Sequence, residues 1–246
     1  MKSAVKKLSP PLILSEVEKG RIIKLKDITV DLWGPMACFT PPYAKVERYS
    51  YPVPTPSALR GILSAIYGKP QEFYWVIRRI EVMSPIQYMT VRRNEVHTFS
   101  LSGKNPKPVY IEDYRTQRAT VLLKDVHYRV TASIIVVKEG DRDNVETALR
   151  KQALRRITTG QCFHQPYMGL KEYPCYFALA DMDAVPIQES HDYNLMVYDT
   201  HVPWDAEKRT GCQTSLFNCV MVNGVIDVPD YSSSEVLKIQ GGMNLA

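Results

Sequence analysis

The residues best suited to chemistry lie in two short segments of the 246-residue sequence. Tyr67 and Lys69 flank Gly68, which places a cation near a phenol, although a tyrosine there is often only a half-buried anchor. Cys162 and His164, two residues apart, fit a nucleophile with its base or a pair of zinc ligands. Since no third partner is evident, a structural role, with a buried thiol beside a histidine that bonds a phosphate or carbonyl, is favoured.

Basic and amide side chains form two further clusters. Arg92 and Arg93 are adjacent in a predicted strand and therefore point to opposite faces, so one can meet a ligand while the other pairs with an acid such as Glu95. Another polar cluster precedes a long apolar run and contains Arg115, Gln117 and Arg118. Guanidinium and amide groups suit phosphates and base edges, whereas the alternative is an ordinary solvated loop.

The charge is divided unevenly along the chain. Residues 1–180 hold 28 Lys/Arg against 16 Asp/Glu, and residues 181–246 hold 3 against 10, within a net charge of +5. A basic segment interleaved with tyrosines suits a polyanion with stackable bases, and the alternative is a solvated basic face. The five cysteines form no CxxC pair, which disfavours a disulfide framework and a zinc ribbon.

Several function classes lose support because their motifs are missing. The sequence has no GxGxxG, no P-loop, no GxSxG and no HExxH. Acidic residues are not clustered as a two-metal nuclease requires, so any nuclease activity is expected to be metal-independent, with no metal and no cofactor. No apolar run is long enough to span a bilayer, and the N-terminus is not a signal peptide, so we expect a cytoplasmic protein.

Strands and helices are predicted around these residues. One helix follows Thr55 as N-cap and Pro56 as first residue, and Gly68 is expected to end it as a left-handed residue. A second helix fits residues 143–158 and ends at Gly160. The predicted strands cover residues 22–33, 73–83, 86–96, 120–137, 176–180, 193–201, 216–222 and 225–228. The first is expected to end at Gly34-Pro35, and the second and third lie on either side of a turn at Ser84-Pro85. An Asn223-Gly224 hairpin turn joins the last two.

This order predicts an α+β fold with a ferredoxin-like βαββαβ unit and a small C-terminal β-sheet domain. We expect an N-terminal extension over residues 1–20, a ferredoxin-like domain of the RAMP or RRM type over residues 21–182, and a small acidic β domain with a tail over residues 183–246. Residues 98–108 are expected to form a polar loop. Sheets of this kind often bind RNA, but that link is an analogy of fold alone.

A series of motifs in order resembles the CRISPR-associated Cas-five family, in its d-type variant from subtype I-C systems. The match extends from about Val30 to Val228. Its segments are ACFT (37–40), KVERYSY (45–51), PTPSA (54–58), RGIL (60–63), AIY (65–67) with KP (69–70), RRNEV (92–96), QRA (117–119), and GQCFHQPY (160–167) with Gly169.

The resemblance implies an endoribonuclease that cuts the hairpin repeat of precursor CRISPR RNA and stays on the 5′ handle of the mature RNA within the Cascade complex. In that family the catalytic set is a tyrosine, which corresponds to Tyr67, and a Lys-His pair early in the second helix. No such pair is present here, since its place falls near Ala148-Leu149. Charge and position suggest Lys69 and His164 as catalytic substitutes, with Lys151, Arg155 and His127 as further possibilities.

Two functions therefore stay open. The first is a metal-independent endoribonuclease that remains bound to its product, and the second is a non-catalytic subunit that holds the 5′ handle while another nuclease cuts. Both require the precursor RNA or its mature handle and the backbone and large subunits of Cascade as partners, and neither requires a membrane. The cations expected to contact RNA are Lys45, Arg48, Arg60, Arg92, Arg93, Arg118, Lys151, Arg155 and Arg156.

Overall fold

The computed structural model of the chain describes residues 27–44, 47–96, 110–137, 142–201 and 213–239. The extension expected over residues 1–20, the loop expected over 98–108, and Lys45 lie outside the described residues.

The described residues form ten strands and three helices. The strands are β1 (Ile28–Ala37), β2 (Arg48–Tyr49), β3 (Phe73–Val82), β4 (Gln87–Val96), β5 (Arg115–Val136), β6 (Tyr176–Leu179), β7 (His191–His201), β8 (Gln213–Met221), β9 (Val225–Asp227) and β10 (Val236–Ile239). The helices are α1 (Pro56–Ile66), α2 (Ile111–Tyr114) and α3 (Arg142–Thr158).

Six of these elements form the central unit of the fold. In chain order they are β1, α1, β3, β5, α3 and β6, and the four strands lie side by side in the order β6-β1-β5-β3 with antiparallel neighbours. This is a βαββαβ unit. The predicted α+β, ferredoxin-like fold class is therefore confirmed.

Further strands extend this sheet and form a second one. β9 adds to the outer edge of β3, whereas β2 and β4 pair with the first half of β5. The second sheet has the order β10-β8-β7. Side chains from both sheets, including Met196 and Phe217 of the second, belong to one buried apolar cluster. The boundary between residues 182 and 183 stays a prediction.

The helix α1 begins as its sequence predicts. Thr55 has an extended backbone, and its hydroxyl accepts a hydrogen bond from the Ala58 N–H at 3.2 Å, with Pro56 as the first helical residue. Its apolar residues at i, i+3, i+4 and i+7 are all buried against the sheet: Leu59, Ile62, Leu63 and Ile66. The N-terminal cap and this apolar face together fix the helix on the core.

Two details of the sequence-based prediction are wrong. β1 does not end at Gly34-Pro35, because Met36 and Ala37 still pair with β5. Gly68 does not have a left-handed backbone. The helix α1 ends at Ile66, Tyr67 has an extended backbone, and N–H groups from other segments donate to the last carbonyls of α1. The two strands predicted on either side of Ser84-Pro85 are confirmed as β3 and β4, and both pair with the much longer β5.

The sheet face away from the helices carries a buried charged cluster. Arg129 is 3% exposed, and its Nε donates to Asp31 Oδ1 at 3.1 Å. The same guanidinium donates to the carbonyls of Asp181 and Ala184, and Glu81 lies 3.4 Å from its Nη1. The loop after β6 is thereby held over the sheet.

Candidate active site and nucleic-acid interface

The last turn of α1 is the point where distant parts of the chain meet. A helix leaves its last carbonyls without partners inside the helix, so other groups must donate to them. The Ala65 carbonyl accepts the N–H groups of Phe163 and His164 at 2.9 and 3.0 Å. The Ile66 carbonyl accepts Arg156 Nη1 at 3.3 Å. The loop that follows α3 and the end of α3 itself are therefore fastened to the end of α1.

The loop that carries His164 has a defined internal structure. Gln165 Nε2 donates to the Cys175 carbonyl at 3.1 Å, and the Cys38 N–H donates to the Met168 carbonyl at 3.0 Å. Gly169 has a φ of +85°, and a Cβ on it would lie 1.9 Å from the Cys38 carbonyl oxygen. Glycine is required there because of both the backbone conformation and the close approach.

Tyr67 is the residue on which this arrangement converges. Tyr67 is 4% exposed, and the centre of its ring lies 5.2 Å from that of Phe73 and 5.3 Å from the guanidinium carbon of Arg156. The Tyr67 carbonyl accepts the indole N–H of Trp75 at 2.8 Å. The aromatic and cation–π contacts hold the ring, and the hydrogen bond holds the backbone of Tyr67.

Burial raises the pKa of the Tyr67 hydroxyl above its ordinary value, and this effect outweighs the opposing charges of Lys69 and Arg156. The phenol therefore remains protonated at neutral pH, which suits a hydrogen-bond donor better than a base. Lys69 Nζ lies 3.2 Å from both carboxylate oxygens of Glu72, so the ammonium is anchored beside the tyrosine.

The structure brings together the three residues proposed for catalysis. Tyr67 and Lys69 follow α1 directly, and the His164 backbone is bonded to the same end of that helix. The His164 side chain is exposed, with its ring centre 4.3 Å from the Phe163 ring. By contrast, His127 lies on the opposite sheet face, with Nε2 3.7 Å from Asp31 Oδ2, and is not part of this cluster.

Four of the arginines proposed for RNA binding form ion pairs within the chain. Arg48 Nη1 donates to Glu95 at 2.7 Å, and Arg118 lies 3.4 Å from the same carboxylate. Arg93 pairs with Glu172 and also donates to the Tyr173 hydroxyl. Arg60 makes a two-pronged contact with Asp199 of β7, at 2.5 and 2.8 Å.

Three of the other proposed cations face outward. Arg92 on β4 and both Lys151 and Arg155 on α3 are exposed. The prediction that Arg92 and Arg93 point to opposite faces is confirmed, but the acid that pairs with Arg93 is Glu172 and not Glu95.

Two features of the site were missed in the sequence. Phe163 is 68% exposed beside His164, and an exposed phenylalanine can stack on a base. Its position between Cys162 and His164 was the signal in the sequence that could have identified Phe163 as part of the site. The second is the role of Arg156, which was expected to contact RNA but lies against Tyr67.

Within the described residues, no group of three or more His, Cys, Asp and Glu side chains is placed to hold a metal ion. Over those same parts of the chain, no helix is long and apolar enough to cross a membrane. Cys38, Cys162, Cys175 and Cys219 are free thiols.

Comparison with known proteins gives consistent results. A curated pre-crRNA endoribonuclease Cas5d from Mannheimia succiniciproducens is 40% identical over 223 residues, which cover 85% of this chain and 97% of the relative. A second protein of that name, from Thermus thermophilus, is 41% identical over 175 residues, covering 70% of this chain and 72% of the relative.

A solved structure of a CRISPR-associated protein has the same fold, with a TM-score of 0.63 and 22% identity, covering 89% of this chain and all of the other. The sequence model of the CRISPR-associated protein family Cas5d matches residues 27–229. The resemblance found in the sequence motifs is therefore confirmed. The chain belongs to the Cas5d family of CRISPR-associated proteins.

Proposed function

We propose that the chain is a pre-crRNA endoribonuclease. It acts in the cytoplasm, binds the hairpin repeat of precursor CRISPR RNA, cleaves it without a metal ion, and remains on the 5′ handle as a subunit of the type I-C Cascade complex. The names of the two relatives at 40% and 41% identity support the activity. The observation that carries the assignment of the site is the convergence of Tyr67, Lys69, Arg156 and His164 at the end of α1.

The chemistry follows from what RNA cleavage requires. The 2′-hydroxyl upstream of the scissile bond loses its proton and attacks the phosphorus, and the 5′-oxygen leaves with a proton. The products are a 2′,3′-cyclic phosphate and a free 5′-hydroxyl. Negative charge develops on the phosphorane oxygens, so donors and cations fixed beforehand lower the barrier.

Each residue of the cluster suits one of these requirements. Tyr67, whose pKa is raised by burial, donates a hydrogen bond that orients the scissile phosphate. Lys69 supplies positive charge to the phosphorane. His164, which is exposed at the same helix end, transfers a proton. Arg155 and Lys151 lie exposed on α3 and extend the positive surface along the RNA.

A second function, a subunit that holds the handle without cutting, is favoured by one observation. The place of the family Lys-His pair falls near Ala148-Leu149, and Leu149 is 4% exposed in the apolar core. No proton-transferring group occupies that position on α3, which favours a subunit that binds the handle without cutting it.

The test is incubation of the purified protein with its own labelled repeat hairpin in EDTA, followed by a denaturing gel. We expect a discrete product that ends in a cyclic phosphate. Tyr67→Phe and His164→Ala are each expected to slow cleavage about a hundredfold while RNA affinity is retained.

The matched control is His191→Ala, because His191 is an exposed histidine of the second sheet that lies beside Glu189. It should cut at the wild-type rate. Tight binding by wild type with no product in EDTA would establish the non-catalytic function instead. Cleavage by His164→Ala at the wild-type rate would show that His164 has no part in proton transfer.

A further inference from the structure

The hairpin formed by β4 and the first half of β5 has two faces of different character. Their pairing is continuous from Gln87 opposite Lys124 to Val96 opposite Arg115. Glu95 is the only acidic residue in these two paired segments, and it lies on the face where Arg48 and Arg118 contact it. Glu95 therefore offsets part of the positive charge of these two arginines on the inner face.

The opposite face is basic and polar. It presents Arg92 and Asn94 from β4 together with Gln117 and Arg115 from β5, all exposed. Asn94 and Gln117 are direct cross-strand partners, so their amides lie side by side. The two arginines lie on either side of this amide pair, about 7 Å along the strands from it. Among the described residues, neither Arg92 nor Arg115 has an acidic partner.

Aromatic surface continues this face at one end. Tyr49 of β2 pairs with Val121, which is also the partner of Thr90, so all three share the face with Arg92. The Tyr49 ring is 40% exposed, and its centre lies 6.0 Å from that of Tyr43, which is 70% exposed. The hydroxyl groups of these two tyrosines are hydrogen-bonded at 2.5 Å, which holds the rings as a pair.

We propose that this outer hairpin face (Tyr49, Arg92, Asn94, Arg115 and Gln117) binds a single-stranded segment of the RNA substrate. The inference rests on the proposed function and adds where and how the RNA is held. Guanidinium groups bind phosphates, amides bind base edges, and exposed aromatic rings stack on unpaired bases. Charge complementarity favours an anion, since the only acid of the two paired segments is on the other face.

A single strand fits this face better than an RNA duplex does. The major groove of A-form RNA is deep and narrow, so a flat two-stranded ribbon cannot bring amides to the bases within it. In an unpaired segment the bases turn outward and can reach Asn94 and Gln117 while their phosphates meet the arginines. The amide pair is thereby placed to select among bases, whereas Arg92 and Arg115 supply affinity without regard to sequence.

The test measures binding of labelled repeat RNA in EDTA by fluorescence anisotropy over a series of salt concentrations. The variants are Arg92→Ala/Arg115→Ala and Asn94→Ala/Gln117→Ala. The control is Arg79→Ala, because Arg79 is also an exposed strand arginine but pairs with Asp227 at 2.9 Å. Two competitors, the single-stranded part of the repeat and its stem alone, separate the two forms of RNA.

We expect the double arginine variant to bind the RNA about tenfold more weakly than wild type. The slope of log Kd against log salt should be smaller by about 1.4, which is the value for two phosphate contacts on a single strand. The double amide variant should keep that slope but lose preference for the repeat over a scrambled single strand. Arg79→Ala should behave as wild type.

An unchanged salt slope in the double arginine variant would overturn the proposal. So would a result in which the substitutions weaken binding of the stem competitor but leave binding of the single-stranded competitor unchanged. Failure of the proposed function is distinguishable, because wild type itself would then neither bind nor cut the repeat RNA.

Discussion

The guanidinium carbon of Arg156 lies 5.3 Å from the centre of the Tyr67 ring, while Nη1 of the same arginine donates to the Ile66 carbonyl at 3.3 Å. One side chain of α3 thus contacts both the last residue of α1 and the tyrosine that follows it. Its Nε is buried and, within the described residues, has no hydrogen-bond partner. Arg156 therefore fixes the position of Tyr67 at the cost of one unsatisfied donor.

Replacement of Arg156 should impair cleavage through Tyr67. We expect Arg156→Ala to lower the single-turnover cleavage rate about tenfold at saturating RNA, since the ring loses its cationic neighbour and α1 loses a donor. Arg156→Lys should restore only part of the rate because an ammonium lacks the planar fork. Arg155→Ala, which removes an exposed neighbour, should mainly weaken RNA affinity. Equal losses of rate in Arg155→Ala and Arg156→Ala would contradict a special role for Arg156.

Arg129→Ala should strongly destabilise the fold. The substitution leaves Asp31 buried without its cation and frees the carbonyls of Asp181 and Ala184. Removing one member of a buried ion pair costs about 3–5 kcal/mol of unfolding free energy. Urea unfolding would measure this loss. Arg79→Ala, which breaks an exposed pair with Asp227, should cost less than about 1 kcal/mol; a similar loss in both variants would contradict the argument.

Substitution at Gly169 tests how the loop that bears His164 is held. Gly169→Ala should lower the free energy of unfolding by about 1–3 kcal/mol and slow cleavage, since its Cβ would meet the Cys38 carbonyl at 1.9 Å and displace the loop. Gly160→Ala is the matched control, because Gly160 has a φ of +66° but no atom within 4 Å of the added Cβ. Thermal unfolding and cleavage rate should both separate the two variants, and equal effects would mean that the collision is unimportant.

Two buried thiols predict how stability depends on pH. Burial raises the pKa of both Cys175 and Cys219 to about 12, from the ordinary value of 9.0. Above pH 9 these thiols ionise in the unfolded chain but not in the folded one, so the unfolded state binds fewer protons and stability falls as pH rises towards 12. The unfolding temperature should therefore decline between pH 9 and 11. That decline should be shallower in Cys175→Ala/Cys219→Ala than in wild type, and an equal slope would refute the assignment.

The elements with local determinants could be predicted from the sequence. α1 has its cap, its proline and its apolar face within twelve residues, from Thr55 to Ile66, and all were identified. The Asn223-Gly224 turn is also confirmed in conformation, since both residues have positive φ. The motifs of the sequence also placed Tyr67 and the loop of His164 in one family pattern, and the structure bonds that loop to the end of α1.

The end of α1 and the partners of the arginines could not be predicted in this way. The donors to Ala65 and Ile66 come from residues 156–164, about ninety positions away along the chain, so no local pattern announces them. Arg60 pairs with Asp199 across 139 positions. A sequence shows which residues are basic, but only the fold decides which of them are neutralised and which, as with Arg92, face solvent.

The pairing of β9 with β3 has a consequence for synthesis of the protein. Residues 225–227 cover the outer edge of β3, whose own residues leave the ribosome about 145 positions earlier. Until then the nascent chain has an open strand edge in its main sheet, and such edges favour association with other chains. Premature termination before Val225 should therefore yield aggregating fragments. The main sheet is therefore completed only after residues 225–227 have been made.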